Sequence, residues 1–206
     1  MKIIRIPAGI YAANCYIIFS DNIKEGIIVD PGGDADEILS YIRENDIKIK
    51  YIILTHGHGD HIGGVAKLKD ELKVPVMIHE ADRDMLVDGS KNLSSVMAMG
   101  SIAIEPDRLI KDGDCIAFGD LEAKIIHTPG HTQGGICIMV EDNIITGDTL
   151  FAGSIGRTDL FGGDFDTIIK SIKEKLMNYA DDVKIHPGHG GASTIGKERI
   201  SNPFLK

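Results

Sequence analysis

Residues 51–61 decide the fold and the chemistry of this chain, and they read Tyr51-Ile52-Ile53-Leu54-Thr55-His56-Gly57-His58-Gly59-Asp60-His61. A short apolar run, typical of a buried strand, leads into four side chains that can bind a metal ion. Side chains alternate along an extended chain, so we expect His56, His58 and Asp60 to share one side. His61 then points elsewhere and can serve a second metal. The stretch predicts a metal site at the end of a strand.

Three further strand-like segments end in turns that carry side chains of the same kind. They are His127-Thr128-Pro129-Gly130-His131, residues 144–148 ending in Gly147-Asp148, and His186-Pro187-Gly188-His189. Active sites are commonly built where loops present polar groups from a rigid scaffold. We therefore predict that His131, Asp148 and His189 join the ligands of the first stretch. The remaining histidines are interpreted as hydrogen-bonded structural groups, and they are His79, His127 and His186.

The seven candidate ligands are imidazoles and carboxylates, which suit zinc, iron and manganese. They are His56, His58, Asp60, His61, His131, Asp148 and His189. A set of this size predicts two divalent metal ions, with zinc favoured over iron or manganese. Two metals ~3.5–4 Å apart can share a hydroxide and stabilise both the attacking and the departing atom. Asp148 is the carboxylate that we expect to bridge them.

The composition limits the class of protein. With 206 residues, 43% of them hydrophobic, the chain predicts one compact domain over residues 1–206. A net charge of −9 disfavours nucleic acid as a partner, because phosphates require Lys and Arg. No apolar run is long enough for a membrane span, so we expect no membrane partner and a cytoplasmic location. The three cysteines form no C-x-x-C motif and are expected to be buried in strands.

Short strand-like runs alternate with amphipathic stretches in both halves of the chain. This pattern predicts an α+β fold in which two sheets pack face to face and helices cover the outer faces. Helices are predicted over residues 36–44, 62–72, 80–87 and 164–179. Residues 88–107 show no clear periodicity, and they are interpreted as an irregular connection or as a lid.

In these motifs the sequence resembles the metallo-β-lactamase-fold superfamily, and within it the short glyoxalase II-like (hydroxyacylglutathione hydrolase-like) hydrolases. The motifs are Val29-Asp30-Pro31-Gly32-Gly33, residues 55–61, residues 127–132, Gly147-Asp148, Pro187-Gly188-His189-Gly190, residues 194–199 and Asn202-Pro203-Phe204-Leu205. The resemblance implies an αββα sandwich of four layers with two mixed sheets. It also implies that one metal takes His56, His58, His131 and Asp148, and that the other takes Asp60, His61, Asp148 and His189. Asp30 would steady the ligand loop, although a simple turn residue is an equal alternative.

The resemblance further implies a reaction. A metal-bridging hydroxide would attack a thioester, either an S-acylglutathione such as S-lactoylglutathione or a related acyl thioester. Asp60 would orient or deprotonate the attacking water. Several β-lactamases carry a different residue at the position of His61, which favours this branch over antibiotic hydrolysis.

Two departures limit the choice of substrate. Full-length glyoxalase II enzymes carry a C-terminal helical domain that binds glutathione, and the short tail after His189 predicts that this domain is absent. The Lys and Tyr that usually bind glutathione are missing from residues 153–159. Arg157 and Thr158 are the predicted substrate-binding residues of this loop. Arg157 can hold a substrate carboxylate bidentately, or it can pair with Asp159.

Two other functions stay open at this stage. The same loop resembles that of the persulfide dioxygenases, which use one iron held at positions matching His56, His131 and Asp148. This is the two-histidine, one-carboxylate triad of non-haem iron oxygenases. The second alternative is a metal-binding or partner-recognition domain without turnover. The sequence carries no signal of the oligomeric state.

Overall fold

Six strands form the first sheet, and their order in the sheet follows their order in the chain. In the computed structural model, which describes residues 1–206, they are β1 (Lys2–Ala8), β2 (Ala13–Phe19), β3 (Glu25–Val29), β4 (Lys48–Ile53), β5 (Val76–His79) and β6 (Arg108–Ile110). β2 is antiparallel to both of its neighbours, β1 and β3, and β3 to β6 run parallel. The sheet is therefore mixed, as predicted.

The second half of the chain forms a second mixed sheet of six strands and a small hairpin. The strands are β7 (Cys115–Phe118), β8 (Leu121–His127), β9 (Ile136–Val140), β10 (Asn143–Gly147), β11 (Leu150–Phe151), β12 (Ser154–Ile155), β13 (Lys184–Pro187) and β14 (Ser193–Thr194). The order in the sheet is β14-β13-β10-β9-β8-β7, while β11 and β12 pair only with each other. β10 and β13 are parallel, and the other pairs are antiparallel.

The first helix agrees with the prediction to within one residue, and the other three predicted helices are shorter or interrupted. The helices are α1 (Ala35–Glu44), α2 (Gly59–Ile62), α3 (Val65–Leu72), α4 (Arg83–Leu86), α5 (Phe165–Ser171) and α6 (Ile195–Ser201). The helix predicted over residues 62–72 begins only at Val65, because Gly63 and Gly64 pack directly on the backbone of residues 31–33. The amide of Gly64 donates to the carbonyl oxygen of Pro31 at 2.8 Å. The two glycines thus separate α2 from α3.

Two other predicted helices also differ from the structure. Residues 80–87 form a 3₁₀ turn over Glu80–Asp82 and then α4. The long helix predicted over residues 164–179 is α5 followed by a π-helical turn over Ile172–Leu176, in which the amide of Met177 donates to Ile172. Ile172 and Leu176 are both buried in this turn, four residues apart as in an α-helix, so the spacing of the apolar residues does not reveal it.

Four layers result from the way the elements bury their apolar faces. Between the sheets, Tyr16 and Ile18 of β2 pack in one cluster with residues of the second sheet such as Ile125 and Ile138. The alternate residues of β2 belong to a different cluster, which α1 and α3 cover. A third cluster lies between the second sheet and the helical segments of α5 and α6. The predicted αββα sandwich is confirmed.

Smaller features depart from the predictions. Cys115 is exposed, because it lies on the outward face of the edge strand β7, whereas Cys15 and Cys137 are buried as expected. The strands β11, β12 and β14 and the helix α6 were not predicted. Residues 88–107 contain no regular helix or strand. None of the helices combines the length and the apolar character that a membrane crossing requires.

Candidate metal centre

The ends of four strands bring all seven predicted ligands to one edge of the sandwich. His56 and His58 follow β4, and α2 begins immediately afterwards at Gly59. The loops after β8, β10 and β13 contribute His131, Asp148 and His189. The apolar strands hold these loops in place, since β10 is entirely buried and β4 ends in the fully buried Ile52 and Ile53.

The first group of side chains, the three-histidine cluster, consists of His56, His58 and His131. Nδ1 of His58 lies 2.9 Å from Nε2 of His131, and the ring centroid of His56 lies 4.9 and 4.8 Å from those of His58 and His131. One nitrogen from each ring lies within 4.8 Å of the other two. All three side chains are buried, with 1–4% of their surface exposed.

The second group, the aspartate cluster, consists of Asp60, His61 and His189. Nε2 of His189 lies 3.2 Å from Oδ2 of Asp60 and 3.3 Å from Nε2 of His61. The extended geometry predicted for residues 56–60 is wrong at its end, because α2 starts at Gly59 and turns Asp60 towards His61 and His189.

Asp148 lies between the two clusters. Its Oδ1 is 3.5 Å from Nε2 of His61, and its Oδ2 is 3.6 Å from Nε2 of His131 and 3.8 Å from Nε2 of His189. Oδ1 therefore faces His61 of the aspartate cluster, and Oδ2 lies near one histidine of each cluster. This is the position in which one carboxylate can contact cations held by both clusters.

Three buried polar atoms of these side chains have no hydrogen-bond partner, namely Nε2 of His56, Nε2 of His58 and Oδ1 of Asp148. Such unpartnered atoms are rare inside proteins, because burial without a partner costs ~1–3 kcal/mol. Imidazole and carboxylate are the ligands that zinc, iron and manganese accept. The donor set therefore fits divalent metal ions.

Burial and charge act in opposite directions in the two clusters. Burial lowers the pKa of His58 to about 3, and burial together with the neighbouring imidazoles holds the pKa of His56 well below its ordinary value. Burial also acts to lower the pKa of His61, but the carboxylates of Asp148 and Asp30 outweigh it and raise this pKa to about 10. His56 and His58 are thus kept neutral, as metal ligands must be.

Each cluster is supported by a buried carboxylate that forms hydrogen bonds with the ligand loops. Oδ1 of Asp30 accepts from the amide of Thr55 at 2.7 Å, and its Oδ2 accepts from the hydroxyl of Thr55 at 2.5 Å and lies 3.0 Å from Nδ1 of His61. These contacts favour the interpretation of Asp30 as a residue that steadies the ligand loop over that of a simple turn residue. They also leave Nε2 of His61 free to face the cluster.

Asp82 supports the three-histidine cluster in the same way, and no sequence pattern predicts this role. Its oxygens accept from the amide of Gly57 at 3.2 Å, from the hydroxyl of Thr132 at 2.7 Å and from the amide of Gly134 at 2.6 Å. Gly57 separates His56 from His58, and Thr132 follows His131. One buried carboxylate therefore fixes both loops that carry the three histidines, and burial raises its own pKa.

The loop that carries His189 is held by β2. The side-chain amide of Asn14 donates to the carbonyl oxygens of Pro187 at 2.8 Å and Gly190 at 3.0 Å, and the hydroxyl of Tyr16 donates to Pro187 at 2.7 Å. The backbone amide of Asn14 also donates to the carbonyl oxygen of Gly188, at 2.7 Å. The first sheet thus orients a ligand supplied by the second.

A cleft of about 520 Å³ opens onto both clusters. Arg157 lines it, whereas Thr158 is not among the lining residues. The guanidinium of Arg157 donates to both oxygens of Asp159 at 2.8 Å, which is the second of the two roles considered for this arginine. This pair lowers the pKa of Asp159 to about 2.

The other three histidines lie outside the clusters. His79 stacks on His127 with ring centroids 4.0 Å apart and planes 10° from parallel. Nε2 of His186 lies 2.9 Å from the side-chain oxygen of Asn143. The structural interpretation of these histidines agrees with this placement.

Comparison with known proteins agrees with the fold and with the ligand motifs. The profile of the Metallo-beta-lactamase superfamily matches residues 8–189. The chain is 38% identical over 209 residues to hydroxyacylglutathione hydrolase GloC of Haemophilus influenzae, and the match covers 100% of this chain and 98% of GloC.

Two solved structures are also closely similar. BLEG-1 B3 metallo-beta-lactamase has 35% sequence identity and a TM-score of 0.94, with 100% of both chains covered. TTHA1623 in a di-iron-bound form has 30% identity and a TM-score of 0.87, with 98% of this chain and 100% of that one covered. Since the family profile spans most of the chain, and proteins more than 30% identical match it from end to end, this protein belongs to the metallo-beta-lactamase superfamily.

Proposed function

We propose that this chain is a binuclear metallohydrolase that cleaves thioesters, either an S-acylglutathione such as S-lactoylglutathione or a related acyl thioester. The observation that carries the proposal is the convergence of seven histidine and aspartate side chains around three unpartnered buried atoms. The similarity to GloC, which is described as a hydroxyacylglutathione hydrolase, supports a thioester as the substrate.

The proposed ligand sets follow the two clusters. The first metal would be held by the three-histidine cluster with Asp148, and the second by the aspartate cluster with Asp148. Zinc remains the favoured ion, with iron or manganese as alternatives; the di-iron form of TTHA1623 supports iron among them. When bound, the two ions would supply a water of lowered pKa and would stabilise negative charge on the carbonyl oxygen.

The chain's own residues orient the reactants. Asp60 borders the cleft beside His189, so its carboxylate can accept a hydrogen bond from the attacking water and orient it. The water oxygen forms the new bond to the acyl carbon, and the carbon–sulfur bond breaks. The thiolate leaves with the bonding electrons, and the proton lost by the water ends on the thiol or in solvent. Thiolates are good leaving groups, with a thiol pKa of about 8.5, so no protein acid is required.

A combined metal and activity measurement tests the proposal. Elemental analysis of protein purified without added metal is expected to show about two metals per chain, and S-lactoylglutathione or another acyl thioester is expected to release free thiol. One iron per chain with oxygen uptake on glutathione persulfide would instead support the dioxygenase alternative. Metallated protein that turns over neither substrate, nor a β-lactam, would support the non-catalytic alternative. A cytoplasmic location remains a prediction from the sequence.

The similarity to BLEG-1 makes a β-lactam the second candidate substrate. Both substrates present a carbonyl to an attacking water, so the clusters alone do not separate them. Measuring the hydrolysis of a chromogenic cephalosporin beside that of the thioester separates the two candidates. We expect the thioester to have the larger kcat/KM, and the opposite order would overturn the choice of substrate.

A further inference from the structure

The cleft beside the metal clusters is lined in large part by hydrophobic residues. Five of them, which we call the apolar wall, are Leu93, Met97, Phe151, Ile155 and Leu160, and Tyr11 also lines the cleft. The only cation that lines the cleft is Arg157, whose guanidinium is already paired with Asp159. A charged or strongly polar group buried against this wall would lose its hydration without gaining a partner.

Residues 88–107 hold part of this wall in a fixed place. Asn92 and Ser94 are fully buried, and the side-chain amide of Asn92 donates to Ile102 at 2.9 Å. The amide of Ile102 in turn donates to the hydroxyl of Ser94 at 2.7 Å. The carbonyl of Asn92 accepts from the amide of Gly59 at 2.8 Å, at the start of α2. The segment is thus anchored to the loop that carries the ligands.

Between these two anchors, Leu93 has a left-handed backbone with φ 69°. It is the only large apolar residue among the eight non-glycine residues with positive φ. Left-handed backbone is unfavourable for a leucine, whereas glycine and asparagine adopt it readily. The carbonyl of Leu93 accepts from the amides of Val96 and Met97, both at 3.0 Å, in a turn that asparagine could also form. The strained leucine is therefore explained by its side chain, which lines the cleft.

We infer that Leu93, together with Met97 and the other residues of this wall, binds the apolar acyl chain of the substrate and makes the enzyme prefer thioesters with butanoyl and hexanoyl chains over those with an acetyl or a polar acyl group. This inference rests on the proposed thioesterase function and narrows it. Each methylene of the acyl chain that leaves water is expected to raise kcat/KM about three- to fourfold until the wall is covered.

The first experiment varies only the acyl group. Acetyl, butanoyl, hexanoyl and lactoyl thioesters of one thiol, glutathione, are compared with the metallated protein. The expected result is a rise in kcat/KM of about tenfold from acetyl to butanoyl, a further rise to hexanoyl, and a lower value for the polar lactoyl group than for butanoyl. A flat series, or a preference for lactoyl, would overturn the inference while leaving thioester hydrolysis established.

The second experiment replaces Leu93→Asn, a change of similar size that tolerates the left-handed backbone. We expect an unchanged or higher Tm and about a tenfold fall in the ratio of kcat/KM for the hexanoyl substrate to kcat/KM for the acetyl substrate, mainly through KM. Val96→Asn is the matched control, because Val96 belongs to the same turn and is 82% exposed. It is expected to change neither substrate.

A binding measurement separates this inference from the chemistry. The hexanoyl amide in which NH replaces the thioester sulfur resists hydrolysis, and calorimetry is expected to show about tenfold weaker binding to the Leu93→Asn protein than to the unaltered one. A lower Tm with equal loss for all acyl groups would make Leu93 a packing residue and overturn the inference. Failure of every thioester to react, with no binding of the amide, would overturn both the inference and the proposed function.

Discussion

The two metal-binding clusters are built from the same residue types but differ in how they balance charge. The three-histidine cluster is buried, the pKa values of His56 and His58 are lowered, and two of its ring nitrogens have no partner. In the aspartate cluster, the raised pKa of His61 and the hydrogen bond between His189 and Asp60 let the side chains compensate one another. A cation can satisfy the unpartnered imidazole nitrogens of the three-histidine cluster. In the aspartate cluster, a proton on His61 can supply the positive charge instead.

Removal of Asp148, the carboxylate between the two clusters, is expected to have the largest effect. Asp148→Ala should lower the metal content of both sites together and reduce kcat/KM by about a thousandfold or more, because no other carboxylate lies between them. Elemental analysis and thiol release measure the two effects. Asp84→Ala, which removes an exposed carboxylate, is the control. Retention of both metals and of activity would show that the ligand assignment is wrong.

Variants of single ligands test whether the clusters are separate sites. His58→Gln should remove the metal of the three-histidine cluster, and His189→Gln that of the aspartate cluster, so each is expected to lower the metal content from about two to about one per chain. His186→Gln changes a histidine outside both clusters and is expected to leave the metal content unchanged. Loss of both metals in each variant would mean that the clusters bind metal as a single cooperative unit.

The carboxylates behind the clusters provide a finer test. Asp82→Asn is expected to weaken metal binding at the three-histidine cluster by about 10–100-fold, because an amide cannot accept all the hydrogen bonds from Gly57, Thr132 and Gly134. Asp30→Asn should act in the same way on the aspartate cluster through His61. Competition titrations with a chelator measure both affinities. Equal weakening of both sites by either variant would contradict this division of roles.

The smallest expected effect concerns histidines that hold no metal. Burial, and then the charge of His127, lower the pKa of His79 to about 4, while Glu80 and Asp112 act to raise it and Lys111 acts to lower it. Between this value and the ordinary histidine pKa of about 6.5, the unfolded chain binds a proton that the folded chain does not, so stability falls as the pH falls through this range.

The variant His79→Asn tests this source of acid sensitivity. Asparagine can still accept the hydrogen bond that the amide of Ala81 donates to His79. The variant should lose about 2 kcal/mol less stability than the unaltered protein between pH 7 and pH 4. Urea unfolding of metal-free protein at the two pH values measures the difference. An unchanged pH dependence would assign the acid sensitivity to other groups.

The fold was predictable because the strands are nearly continuous apolar runs ended by Gly and Pro turns. The same patterns placed the candidate ligands at strand ends, and the structure brings all seven together. Local patterns failed where packing against distant residues decides the outcome. Gly63 and Gly64 interrupt a helical pattern because they pack on residues 31–33, and the tail forms β14 and α6 where Glu198 is buried and accepts from Ser193.

The local sequence was sufficient to select the candidate ligands and the two-sheet architecture, because both follow from residue types and spacing along a few strands. The division of the ligands into two clusters, the support from Asp82 and the apolar wall with its strained Leu93 depend on contacts between residues distant in the chain. Asp82 meets Gly134 across 52 positions, and no periodicity encodes such a contact. These features arise from the packing of the two sheets against each other.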